Sequence, residues 1–204
     1  MKRKTKIHSL PFIRQVQKIG RLAASRQINR NDRYLEVYPE LLQAVQALLP
    51  LDRPKLMLTA HAVFGWMPTQ LRVNTGQVNT ALNIIKPILE KGMDASVSDL
   101  VLLASTFQTV KGNSVVAASK ILHFLAPARF PIWDRLVAKT WGLQPSGPQA
   151  PNNYFGFTQA CRQFALDANA KQACAILRQQ LAQAGYAYPM TDMRLLELMF
   201  FLPP

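Results

Sequence analysis

Residues 111–142 read KGNSVVAASKILHFLAPARFPIWDRLVAKTWG, and they decide the fold. An apolar run from Val115 to Leu125 carries helical spacing and stops before Pro127, because the residue ahead of a proline is pushed out of the α region. A tight Phe130-Pro131-Ile132-Trp133 connection follows. Asp134 then stands where a helix N-cap belongs, and a short second helix closes at Gly142. The unit is helix, turn, helix, with one carboxylate at the entrance of its second helix and with Lys111, Lys120 and Arg135 around it.

Outward from this unit the periodicity is helical nearly everywhere, in segments 34–49, 54–66, 76–91, 97–110, 115–125, 134–141, 153–168, 170–184 and 191–201. Strand alternation is almost absent, so the expected class is all-α, a compact multi-helix domain. Prolines 50, 54, 68, 127, 131 and 189 fall at segment edges, where a missing amide donor does least harm; Pro87 lies inside a helical pattern and predicts a kink. Ser96 with Asp99 reads as a capping box. The stretch from Gly142 to Asn153 is the longest irregular one and is expected to be a surface loop or a hinge.

The chain has 204 residues and 49% hydrophobic content, enough for one buried core. Its 24 Lys and Arg against 11 acidic residues leave a net charge of +13, which suggests a polyanionic partner, nucleic acid before membrane. Ten of the cations precede Tyr34, opposed only by Asp32. Within that stretch Phe12, Val16, Ile19 and Ala23 recur at helical spacing, so residues 1–33 read as a loose basic tail and an amphipathic helix, and residues 34–204 as the helical domain. Arg14, Lys18 and Arg21 lie on this helix. They either follow phosphates or form the solvated face of a core helix. No apolar run is long enough for a bilayer and no secretory signal is visible, so the expected location is cytoplasmic, at the nucleoid if DNA is the partner. Cys161 and Cys174 have no neighbouring His/Cys pair to complete a metal site and read as free buried thiols. No cofactor or metal is expected.

Several residues qualify for chemistry, and each has a plainer reading beside it. Asp134 can cap its helix without any catalytic purpose. Gly112 permits an unusual backbone conformation, and Asn113 or Ser114 can cap the next helix or leave amides free for a phosphate. Lys120 and His123 lie three residues apart on one helical face. Either they meet an anionic ligand or Asp134, or the lysine snorkels and the imidazole is a satisfied core group. Phe64-Gly65-Trp66-Met67-Pro68 and Asn152-Asn153-Tyr154-Phe155-Gly156-Phe157 could supply a stacking wall for an extruded base, or pack in the core. Trp133 and Trp141 are expected as packing anchors whose indole N–H groups need partners.

Ser119-Lys120-Ile121-Leu122-His123-Phe124-Leu125-Ala126-Pro127 with Phe130-Pro131-Ile132-Trp133-Asp134, and later Tyr188-Pro189-Met190-Thr191-Asp192-Met193-Arg194-Leu195-Leu196-Glu197, resembles a bacterial family related to 8-oxoguanine DNA glycosylases, in the helix-hairpin-helix glycosylase superfamily. The resemblance implies binding of double-stranded DNA and hydrolytic excision of a damaged base. It assigns Asp134 to stabilising positive charge on the sugar or activating a nucleophile. It makes Lys120 and Lys111 candidate amines; Lys111, Gly112, Asn113, Ser114, Arg14, Lys18, Arg21 and Arg135 candidate DNA contacts; and His123, Trp133 and Phe155 a base pocket. Two departures accompany it. The family's lysine position falls near Val115, which speaks against lyase chemistry, and its two-glycine hairpin is reduced here to Val110-Lys111-Gly112-Asn113-Ser114. A noncatalytic nucleic-acid-binding or regulatory module on the same fold is the alternative, and a helical protein docking an acidic partner surface is the third.

Overall fold

The computed structural model describes residues 10–66 and 70–202, with side chains from Lys18 onward. Its elements in chain order are α1 (Leu10–Ser25), α2 (Arg33–Glu36), α3 (Tyr38–Gln46), α4 (Arg53–Gly65), β1 (Leu71–Val73), α5 (Val78–Lys91), α6 (Val97–Thr106), β2 (Phe107–Thr109), β3 (Gly112–Asn113), α7 (Val115–Leu125), α8 (Arg135–Thr140), α9 (Ala150–Phe164), α10 (Ala168–Gln183) and α11 (Asp192–Phe201). About 65% of the chain is helical against 4% strand, so the fold is all-α. A single apolar cluster runs from Ile19 to Leu202 through the helices.

α7 is buried along its length, from Val115 through Leu125, with only Val116 and Lys120 partly exposed. α3, α4, α6 and α9 pack around it. α1 turns Ile19 and Ala23 into the common core against α10 and α11, while Lys18 and Arg21 stay exposed. The tail before Leu10 and the Arg14 side chain lie outside the described residues.

The structure departs from the periodicity in three places. Segment 34–49 is two helices, because Pro39 has no N–H to give the Leu35 carbonyl four residues back. The Tyr188 hydroxyl donates to that carbonyl at 2.8 Å instead, which ties the segment before α11 to α2. Segment 97–110 ends as a helix at Thr106, and Phe107–Thr109 becomes the centre of a small antiparallel sheet ordered β1-β2-β3. Leu71 pairs with Thr109 and Thr109 with Gly112; Val110 and Lys111 form the turn, and Gly112 sits at φ 95°, a conformation a side chain would strain. Strands of two or three residues are too short to carry a period of two. Segment 153–168 begins earlier, at Ala150, since Pro151 falls in the first turn, where no amide donor is required. Pro87 lies within α5, which runs without interruption from Val78 to Lys91.

The connection that delivers Asp134 is held from several sides. Trp133 N–H donates to Ser119 Oγ at 3.0 Å, and the Tyr154 hydroxyl donates to the Pro131 carbonyl at 3.1 Å. Arg129 reaches the carbonyls of Ile88, Gly92 and Met93 at 2.6 to 2.7 Å and so caps the end of α5, while Asp94 pairs with Arg129 at 3.0 Å and with Arg162 at 2.7 Å. The position of Asp134 is therefore set by α5, α7 and α9 together.

Candidate functional site

Asp134 enters α8 with an extended backbone, φ −146° and ψ −174°, and Oδ1 accepts from the Val137 N–H at 2.9 Å. The capping role is thus real, and it occupies one oxygen. No group among the described residues bonds Oδ2. The carboxylate is only partly buried and Arg135 beside it is exposed.

Lys120 comes from α7 toward the same place. Its ammonium stands 5.7 Å from the centre of the Trp66 ring, and no acceptor among the described residues lies within hydrogen-bond distance of Nζ. Lys120 is partly exposed and keeps some access to solvent. Burial pulls its pKa below the ordinary lysine value; Asp134 and Glu197 pull the other way and Arg194 adds to the depression. A cation above an indole gains from the ring quadrupole, but far less than water gives an ammonium. The free amine is consequently more accessible here than on an ordinary surface lysine.

Behind this pair lies a polar group that sequence reasoning did not assign. Arg194 and Glu197 form an ion pair within α11, both buried. The guanidinium also lies 4.6 Å from the centre of the Tyr38 ring, while Arg194 Nε and Glu197 Oε1 are buried without a partner among the described residues. Burial pushes the Glu197 carboxyl up to about 7, Arg194 opposing and Asp134 reinforcing the rise. Lys120, Asp134, Arg194 and Glu197 therefore form a cluster of two cations and two anions. Among the described residues Lys120 has no ion-pair partner within 4.0 Å. A signal for the pair was present in the sequence: Arg194 and Glu197 are embedded in Met193, Leu195, Leu196, Leu198, Met199 and Phe200, all buried, and charges rarely enter a helix apolar on every side unless paired.

Aromatic rings wall this cluster. Trp66 meets Phe124 at 5.3 Å and Tyr34 at 5.6 Å, both edge to face. Tyr38 stacks on Tyr188 at 5.9 Å. Trp66 comes from one of the two segments singled out for a stacking wall; its neighbours 67–69 lie outside the described residues.

The expected base pocket of His123, Trp133 and Phe155 is not assembled. His123 is fully buried with both nitrogens engaged: its Nδ1–H donates to the Phe130 carbonyl at 2.7 Å and Nε2 accepts from the Tyr38 hydroxyl at 2.8 Å. A carbonyl can only accept, so the proton sits on Nδ1. Burial, reinforced by Arg194, lowers the imidazole to about 3, and the ring stays neutral. Trp133 is fully buried against Tyr154 and Phe157 and offers no face to a ligand. Phe155 borders a separate cavity of about 10 Å³, lined also by Ala95, Phe130 and Arg162, room for one water at most. The indole N–H groups of Trp133 and Trp141 have no partners among the described residues, contrary to expectation; ring packing, for Trp141 against Phe157 and Phe200 at 5.5 Å each, is what anchors them.

The other expected contacts are scattered over the surface or absorbed into the fold. Lys111 is exposed on the β2–β3 turn. The Asn113 side chain accepts from Gln108 at 3.0 Å. Ser114 caps α7, its Oγ accepting from the Ala117 N–H at 3.1 Å. Cys161 and Cys174 are free and buried. Among the described residues there is no group of three or more His, Cys, Asp or Glu able to hold a metal ion, and no helix is long and apolar enough to cross a membrane. Comparison with protein-family models, curated proteins and solved structures finds no match to this chain.

Proposed function

We propose that this protein binds double-stranded DNA and excises a damaged base by hydrolysing its N-glycosidic bond. The observation that carries the reading is the convergence of Lys120 and Asp134 beside Trp66: among the described residues, a partly desolvated amine without an acceptor and a carboxylate with one oxygen uncommitted, both within reach of solvent. In the reaction a water oxygen bonds to the sugar carbon and the water gives up a proton, the carbon–nitrogen bond breaks, and the base leaves with the electron pair and takes up a proton. Positive charge builds on the sugar along the way. Asp134 Oδ2 opposes that charge, and a preorganised carboxylate at such a position acts without reorganisation cost. Lys120 gives the departing base its proton, Lys111, Arg135, Lys18 and Arg21 hold phosphates, and Trp66 provides a ring for the extruded base.

The test is excision from end-labelled duplexes carrying single damaged bases, 8-oxoguanine among them, followed by alkaline cleavage at abasic sites. Alkali-dependent breaks mean hydrolysis. Breaks without alkali, trapped on Lys120 by borohydride, mean that the amine itself attacks.

A second reading has its own observation. Ser114 is committed to capping α7 and Gly112 belongs to a β-hairpin, so the two-glycine approach to a phosphate is absent. A noncatalytic nucleic-acid-binding module predicts salt-sensitive binding and unaltered DNA under saturating protein.

A further inference from the structure

Apart from Lys111 at its tip, the small sheet has no part in the proposed reaction, yet it packs on α4 and α7, which deliver Trp66 and Lys120. β1 begins five residues after Trp66 and packs on α4, β2 packs on α7, and β3 runs into α7 through the Ser114 cap. At the outer end the chain turns through Val110 and Lys111, both exposed, Val110 to 51%. Thr109 pairs with Gly112 across the turn, and Gly112 at φ 95° supplies the left-handed residue that closes a short hairpin. Turn geometry favours asparagine, aspartate, proline or serine beside such a glycine; a β-branched valine serves neither the turn nor the core.

The base of the hairpin is pinned. Asn74 N–H donates to the Thr106 carbonyl and Ser114 N–H to the Ala104 carbonyl, each at 2.9 Å. The Gln108 side-chain amide donates to the Ser105 carbonyl at 2.9 Å and to Asn113 Oδ1 at 3.0 Å, and Phe107 is fully buried. Val110 is therefore an apolar point on a braced support. The surrounding charge identifies what it meets. The chain has no Asp or Glu between Arg53 and Leu89, nor between Leu100 and Trp133, the spans that hold α4, the sheet, α7 and most of α5. Arg72 on β1 and Lys111 at the tip are exposed and have no ion-pair partner within 4.0 Å among the described residues. An apolar tip beside uncompensated cations fits a nucleic-acid duplex, with phosphates outside and stacked bases within.

We propose that Val110 is a wedge: on DNA it enters the base stack next to the extruded nucleotide, while Arg72 and Lys111 hold the phosphates flanking the opening. Extrusion leaves a gap in the stack, and an apolar side chain that fills the gap keeps the duplex from closing again. Val110 and Lys120 stand ten positions apart through turn, strand and helix, a path of at most about 25 Å. Wedge and amine thus act on one stretch of duplex no longer than about seven base steps.

The wedge rests on the DNA-binding part of the proposed function and deepens it. Its test uses 2-aminopurine, which brightens on losing its stacking partner, placed beside a tetrahydrofuran abasic-site analogue in a duplex saturated with the full chain. The wild-type protein should raise the fluorescence about twofold or more, Val110→Ser should lose most of that rise, and Val110→Leu should keep it. Lys111→Ala should also keep it while lowering the slope of log affinity against log salt by about 0.9. Val110 lies outside the apolar core, so its variants should melt with the wild type. No rise with the wild-type protein bound, or an equal rise with Val110→Ser, overturns the wedge. Excision separates this outcome from failure of the glycosylase reading. A protein that excises a base but brightens 2-aminopurine equally as Val110→Ser keeps the glycosylase and loses the wedge. One that excises nothing yet brightens it through Val110 refutes the glycosylase and keeps the wedge. A protein that does not bind the duplex refutes both.

Discussion

The entrances of α7 and α8 carry the same kinds of residue to opposite effect. At the first, Gly112, Asn113 and Ser114 are used up by local structure: the glycine turns a hairpin, the amide side chain meets Gln108, and the hydroxyl caps the helix. One and a half turns on, Lys120 finds no acceptor among the described residues, and Asp134, which caps α8 much as Ser114 caps α7, keeps an oxygen and a charge to spare. A serine cap is neutral after its one bond, whereas a carboxylate cap keeps a whole oxygen and a negative charge. Local polar satisfaction thus separates a structural joint from a candidate site.

The largest expected effect concerns the floor beneath the site. His123 at about 3 against an ordinary 6.5 means the unfolded chain binds the proton first, so stability is fully present above pH 6.5 and is lost as pH falls toward 3, by several kcal/mol. Glu197 runs the other way: raised from 4.5 to about 7, it contributes stability below pH 4.5 that is lost as pH rises through 7. The two oppose each other between 4.5 and 6.5, so urea unfolding should show the steepest acid loss below 4.5, and His123→Gln should remove most of it. Next in size, Lys120→Met should slow excision on the order of a hundredfold while the melting temperature holds or rises, as calorimetry and single-turnover rates would show together. Ser114→Ala should do the reverse, costing about 1 kcal/mol of stability and leaving excision unchanged. If it also abolishes excision, the contrast between the entrances of α7 and α8 is wrong. Smallest, Lys18→Ala and Arg21→Ala should each reduce the slope of log affinity against log salt by about 0.9 if the residue holds a phosphate, without altering any product.

The helices were readable because amphipathic spacing survives whatever packs against it. Val115–Leu125 and Ser96 with Asp99 came through unchanged, since both depend on neighbours within one turn. Pro39 was an overlooked stop. The strands at Phe107 and Gly112 were not readable, because their pairing is with each other and with Leu71–Val73 rather than with a pattern of their own. At the site, Asp134 was visible from its cap context, and Lys120 as a charge on an apolar helix. For His123 the sequence left a core imidazole and a pocket residue side by side, and the structure bears out the first; the choice was not legible because its hydroxyl partner Tyr38 lies 85 residues away in the chain. Arg194 and Glu197 show the same limit in part: their placement in an apolar helix marked them as paired, but nothing local said that the pair would stand behind Lys120.

The most direct test of the central claim is single-turnover excision by wild-type protein and Asp134→Asn on a damaged duplex that the wild type cleaves, with melting temperatures for both. Asparagine caps a helix about as well as aspartate, so the variant should keep its stability while losing on the order of a hundredfold or more in rate. Equal rates at equal stability would mean that Asp134 only caps α8, and the account of the site would be wrong.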